Sequence, residues 1–179
     1  MDMLRRHWLA LAGAACVGAP RARAASPALR IGVEGSYPPF SEVGADGQLH
    51  GFEIELARAL CREMAVDCVL VQQEFDGMIP ALQSRKIDAV MASMSITPER
   101  RRSVAFSDKY YKTPNRLVVR LDARLLPTPA GLAGRRIGVQ RASINDRFAT
   151  DTFTQSEIVR YARQQDIYLD LAVERSPIA

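Results

Sequence analysis

Histidine is nearly missing from this chain, and its scarcity excludes a whole class of chemistry. The 179 residues hold two, and only His50 lies beyond the N-terminal leader described below. Neither G-x-S-x-G nor S-x-x-K occurs, so a His-based hydrolytic triad would require the fold to carry His50 out of a turn and into a site. Cysteine is scarce too, at three residues. No second Cys/His pair completes a set of four ligands, which makes a zinc site poor, and no cofactor is expected. The chain has no internal repeat and no low-complexity tract. Its apolar run Leu9 to Ala19 is too short to span a bilayer.

That run is preceded by Arg5-Arg6 and followed by Ala22-Arg-Ala24, an A-x-A site. Residues 1–24 therefore read as a secretory signal peptide cut after Ala24. Arg21 and Arg23 beside the cut leave its exact position open. Cys16 follows Gly13-Ala-Ala15 and lacks the usual Leu of a lipoprotein site, which argues against lipidation. Without the leader, basic residues fall from 24 to 20 and acidic ones from 20 to 19, so net charge falls from +4 to +1. The basic pI owes much to the leader and does not argue for nucleic acid. Cys61 and Cys68 remain, an even count in an oxidising compartment. They are expected to be disulfide-bonded, bridging a short loop between a helix end and a strand start, with two free thiols the weaker alternative. The 47% apolar content fits a globular chain with one good core or two small lobes.

The stretch Asp88 to Arg100 organises the rest. Ala89-Val-Met91 has the length of a buried strand. Ser93 and Ser95 follow in a polar turn, and Thr97-Pro98 reads as an N-cap and first helical residue. Arg100 then lies in the first helical turn, where a cation opposes the helix dipole. Turn N–H groups, hydroxyls and a guanidinium fork together make a cradle for a carboxylate; the plainer reading is a capped helix with a solvated Arg.

Elsewhere, Leu29 to Val33 reads as a strand and Glu34 to Phe40 as a turn-rich loop. Asp46-Gly47 marks a tight turn. Ile54, Ala57, Cys61 and Met64 fall at helical spacing over Glu53 to Met64. Val66 to Val71 is the next strand, and Asp76 to Ser84 a short helix with Ile79 and Leu82 inward. Leu117 to Arg120 begins an extended crossing segment, with Pro127 and Pro129 in a linker. Arg136 to Gln140 restarts the plan as a strand, followed by a turn at Arg141-Ala-Ser143 and a helix from Asn145 to Phe153. A strand at Ile158 to Tyr161 and a helix at Gln164 to Val173 close it. Strand–helix alternation predicts a parallel α/β sheet with ligand chemistry at strand C-terminal ends.

Seven motifs in order carry a resemblance: Gly35-Ser-Tyr-Pro-Pro-Phe40, Gly51-Phe-Glu-Ile-Glu-Leu-Ala57, Asp76-Gly-Met-Ile-Pro-Ala-Leu82, Lys86-Ile-Asp-Ala-Val90, Ser93-Met-Ser-Ile-Thr97, Phe106-Ser-Asp-Lys-Tyr-Tyr111 and Ile137-Gly-Val-Gln140. From about Leu29 to Ala172 the chain resembles the periplasmic polar-amino-acid-binding proteins of ABC importers, in the lysine/arginine/ornithine/histidine and opine branch. The resemblance implies a two-lobed α/β fold of the type II periplasmic-binding-protein kind, a monomer that closes on a cationic amino acid or opine and delivers it to an inner-membrane ABC permease. Lobe one would occupy residues 25–113, the crossing hinge 114–120 and a partial lobe two 121–179. Arg100 would pair with the ligand α-carboxylate, helped by the backbone and hydroxyl of Ser95. Ser93 would accept from the α-ammonium, and Ser143 would close over the carboxylate. The ligand side chain would lie between the rings of Tyr37 and Phe75, with Glu34 near its tip. Read alone, Tyr37 packs on its turn, Phe75 is core and Glu34 is a loop acid.

Two departures stand out. Ala142 replaces a Gly usual in the family, in a turn that approaches the ligand. Ser176-Pro-Ile-Ala179 stands where the family has a Gly-Arg-Ile/Leu-Asp-Ala segment, with Pro177 at the ammonium-binding Asp. The expectation is a truncated member, a fragment or a frameshifted product, with lobe one nearly complete, lobe two incomplete, poor stability and weak or no binding. The competing functions are a dehydratase acting on cyclohexadienyl compounds, which resembles this fold, and a remnant that binds nothing.

Overall fold

The computed structural model describes residues 27–173. The leader read over residues 1–24 and the final segment from Ser176 to Ala179 lie outside the described residues.

The expected pair of α/β units is present, each with its own core. In the first, β1 (Leu29–Val33) is the central strand, flanked in parallel by β5 (Cys68–Gln72) and β6 (Ala89–Val90). Ile31 lies opposite both Leu70 and Ala89. A parallel sheet must bury its central strand, and Ile31 and Val33 are accordingly core residues. Helix α1 (Phe52–Glu63) lays Ile54, Ala57 and Cys61 on them, at the spacing that keeps side chains on one helical face. Met64 does not join that face. The helix ends one residue earlier, and Met64 caps it at 52% exposure. Gly51 precedes α1 at φ 114°, and a Cβ there would sit 2.5 Å from the Phe40 carbonyl oxygen, so only glycine fits.

Cys61 and Cys68 are disulfide-bonded, tying the last turn of α1 to the first residue of β5. With seven residues of separation, the chain-entropy treatment gives this loop about 2–2.5 kcal/mol. Cys61→Ser/Cys68→Ser should lose that much in denaturant unfolding. An unchanged midpoint would show that the bond constrains nothing in the unfolded chain.

A small antiparallel sheet of β2 (Ser36–Tyr37), β3 (Ser41–Val43) and β4 (Leu49–His50) sits beside α1. Part of the stretch expected as a loop after Glu34 is thus a paired strand, with Tyr37 opposite Ser41. Asp46-Gly47 makes the expected turn. A 3-10 turn at Phe75–Gly77 leads into α2 (Met78–Gln83), and this shifts the inward face by one residue. Met78 and Ala81 are buried, while Ile79 and Leu82 are only half-buried. A 3-10 turn advances further per residue than an α-helix, which accounts for the change of phase.

After the short helix α3 (Pro98–Arg101), the chain runs without a further helix or strand element to β7 (Arg136–Gln140). This strand pairs in parallel with β8 (Glu157–Tyr161), Ile137 opposite Ile158. Helix α4 (Ile144–Thr152) helps close a second core of Leu132, Ile137, Val139, Ala149 and Phe153. Helix α5 (Gln164–Ala172) packs on β7 and reaches β2 of the first unit. The C-terminal ends of β1 and β7 therefore meet.

Candidate functional site

Thr97 starts α3 as expected. Its Oγ1 accepts from the Arg100 N–H at 3.1 Å, and Pro98 follows. The Arg100 guanidinium then reaches away from its own helix. Nη1 donates to the Ser95 carbonyl at 2.8 Å and Nη2 to the Ala142 carbonyl of the second unit at 2.9 Å. Its Cζ stands 5.5 Å from the centre of the Phe75 ring. Burial lowers the Arg100 pKa, a shift that Glu99 opposes. No described carboxylate forms an ion pair with it, so its positive charge rests on neutral carbonyls and a ring face. Such a cation is suited to receiving an anion. An open cleft of about 880 Å³ lies beside it, lined by Thr97, Arg100, Ala142 and Ser143 among others.

Ser143 is the N-cap of α4, its Oγ accepting from the Asp146 N–H at 3.1 Å. Ala142 before it adopts φ 60°. An L-residue in this left-handed region costs about 1–2 kcal/mol, so the turn keeps the conformation a glycine would allow.

Glu34 is not a solvated loop acid. It is 5% exposed, and its Oε1 accepts from Ser36 Oγ at 3.0 Å and from Gln140 Nε2 of the second unit at 2.6 Å. Burial raises its pKa while these two hydrogen bonds pull it back. Tyr37, half-buried, stacks on Phe40 at 5.5 Å, and Phe40 in turn stacks on Tyr111 at 4.9 Å. Tyr37 belongs to this aromatic cluster, and Phe75 faces Arg100.

Ser93 takes φ 50°, and its hydroxyl accepts from the Tyr111 hydroxyl. Its N–H donates to Glu53 Oε1 at 2.7 Å, and the Tyr110 hydroxyl donates to the same oxygen. Burial, then this bond, pushes the Tyr110 pKa far up. Glu53 is fully buried, and its Oε2 has no partner among the described residues. Sequence reasoning gave no site role to Glu53, Tyr110, Tyr111 or Gln140. An acid in the first turn of a helix reads as a dipole complement; only its place in the Gly51-Phe-Glu motif singled it out.

Three successive residues of the second unit each reach the first. Gln140 donates to Glu34, Arg141 Nε lies 2.6 Å from Asp76 Oδ2, and the Ala142 carbonyl receives Arg100. Arg147 adds an ion pair to Glu99. Among the described residues no group of acidic, His or Cys side chains could hold a metal. A second open cleft, of about 900 Å³, lies beside the disulfide and contains none of the residues above.

Two α/β units facing each other across polar strand ends, held by a turn of one on the other, are the architecture of a two-lobed solute-binding protein. The chain belongs to the bacterial extracellular solute-binding proteins, family 3, which it matches over residues 29–170. It is 51% identical over 154 residues to the L-arginine-binding protein of Pseudomonas aeruginosa, covering 85% of this chain and 60% of that protein. Among solved structures it is similar to an ancestral arginine-binding protein bound to arginine, with TM-score 0.80 and 33% identity over 86% of this chain and 69% of that one. It is also similar to an ancestral amino acid-binding protein described as a precursor of cyclohexadienyl dehydratase, with TM-score 0.78 and 32% identity over 84% and 68% of the two chains.

Proposed function

We propose that this chain is the solute-binding component of an ABC amino-acid importer, exported to the periplasm through its leader, and that its ligand is a cationic amino acid of the arginine, ornithine or lysine type, or an opine. Lobe one comprises residues 25–113, the crossing hinge 114–120 and the second-lobe portion 121–179. Arg100 takes the α-carboxylate between Ser95 and the Ala142–Ser143 turn. Ser93 accepts from the α-ammonium. The side chain runs past Tyr37 and Phe75 toward Glu34. The protein acts as a monomer and docks on an inner-membrane permease.

The observation that carries this reading is the placement of two opposite charges where the Gln140–Ala142 stretch of the second unit meets the first: Gln140 bonds Glu34 and the Ala142 carbonyl receives Arg100. Arg100 is a half-buried cation with no described carboxylate paired to it, and Glu34 is a buried acid held by neutral donors. An amino acid with a cationic side chain presents the complementary pair of charges, and a neutral side chain leaves Glu34 without its ionic partner. Glu34→Gln should therefore weaken arginine by about 1.5–3 kcal/mol and citrulline, its neutral analogue, by much less. Isothermal titration reads both; equal weakening would place Glu34 outside the side-chain site.

A dehydratase is the alternative, favoured by the raised pKa of the buried Glu34 and by the likeness to a dehydratase precursor. A turnover assay with cyclohexadienyl substrates separates the two, and the binding role predicts no product.

A further inference from the structure

Gln140 carries chemistry that the proposed role leaves unused. It ends β7 at 7% exposure, at the kind of strand terminus where α/β sheets place ligand contacts. Its Nε2 donates to Glu34 Oε1 of the first unit at 2.6 Å and lies 3.4 Å from the Ala162 carbonyl of its own unit. The second contact orients the amide, so the donor stands ready for Glu34. Ser36 Oγ donates to the same Oε1. That oxygen is then supplied by two neutral donors, and Oε2 is left to meet a ligand cation. A buried carboxylate short of donors is strongly unfavourable. Closure on a ligand too short to reach Glu34 would meet that penalty if residue 140 were apolar.

We infer that Gln140 is a specificity-determining residue, which caps Glu34 from the second lobe and lets the site close on side chains that fall short of this carboxylate as well as on those that reach it. The inference rests on the amino-acid-binding role proposed above. Arginine brings its own guanidinium donors to Glu34. Ornithine, with a shorter side chain, relies on the Gln140 amide to satisfy the acid. Removing the amide therefore harms ornithine more than arginine, and the site narrows.

The test uses Gln140→Met, which keeps the length and removes the donor, with Gln140→Leu as a second variant. Arginine and ornithine are titrated into the wild-type chain and both variants. The ratio of ornithine Kd to arginine Kd should rise about tenfold or more, as expected for one lost hydrogen bond to a charged group. In parallel, the ligand-free Tm shifts of Gln140→Met and Glu34→Ala should be non-additive, because without Glu34 the amide has no carboxylate to cap. An unchanged ratio overturns the inference even if the Tm shifts are coupled, since the pair would then be structural only. Additive Tm shifts overturn it as well. If the wild-type chain binds neither amino acid, the amino-acid-binding role fails and the specificity inference falls with it. Coupled Tm shifts in that case would show that the Gln140–Glu34 bond itself is intact.

Discussion

Arg100→Ala is expected to weaken amino-acid binding by about 30-fold to several thousand-fold, corresponding to the roughly 2–5 kcal/mol cost of losing one partner of a desolvated charge pair. Two bonds to carbonyls and a ring face hold this guanidinium in place. Positioning without neutralisation is what a carboxylate receptor requires, since the field is already aimed and little reorganisation is left for the ligand to drive. Arg100→Lys keeps the charge and loses the fork, so it should fall between wild type and alanine. Both effects are read by titration with arginine, with circular dichroism to confirm an unchanged fold. An Arg100→Ala chain that binds arginine as wild type does would move the carboxylate site elsewhere.

Glu53→Ala should lower unfolding free energy by about 2 kcal/mol, because it removes the fully buried carboxylate that accepts from both the Ser93 N–H and the Tyr110 hydroxyl. Glu53 gathers the Ser93 N–H and the Tyr110 hydroxyl on one oxygen. Those two donors come from separate segments: the left-handed turn after β6, and the stretch that follows α3. Without the carboxylate, the left-handed Ser93 turn loses the bond that holds it. Glu53→Gln retains an acceptor and should cost less. Denaturant unfolding measures both. A loss below about 0.5 kcal/mol for the alanine variant, the range of an ordinary surface change, would mean that water or another group serves these donors.

The regular elements were legible because their signals are local. Leu29 to Val33 and Arg136 to Gln140 are short apolar runs bounded by polar turns, and both are strands with those bounds. Thr97-Pro98 announced a helix start through capping chemistry, and the Thr97 hydroxyl caps; Ser143, read only as the end of a polar turn, proves to be the cap of α4. Phase and partnership were less legible. The inward face of α2 depends on the 3-10 turn before it, which no periodicity displays. Met64 continued the apolar spacing but lies past the end of its helix. For the candidate site, the family resemblance drew attention to Glu34, Tyr37, Phe75, Ser93, Ser95, Arg100 and Ser143. It did not reveal how these residues are held. Glu53 and Gln140 act through neighbours that lie 40 and 106 positions away, and a single sequence has no way to display such pairings. The stacking of Tyr37 on Phe40 was equally hidden, since it is set by the tertiary packing of an aromatic cluster.

The central claim is that one cleft recognises a positive side chain and a negative α-carboxylate together. Titration of the chain with arginine against citrulline tests it most directly, because the two ligands share the α-amino acid group and nearly the same shape, and differ in side-chain charge. Arginine should bind at least about tenfold more tightly than citrulline, the worth of one charge-assisted hydrogen bond, and the preference should vanish in Glu34→Gln. Equal affinity for the two ligands would contradict the account.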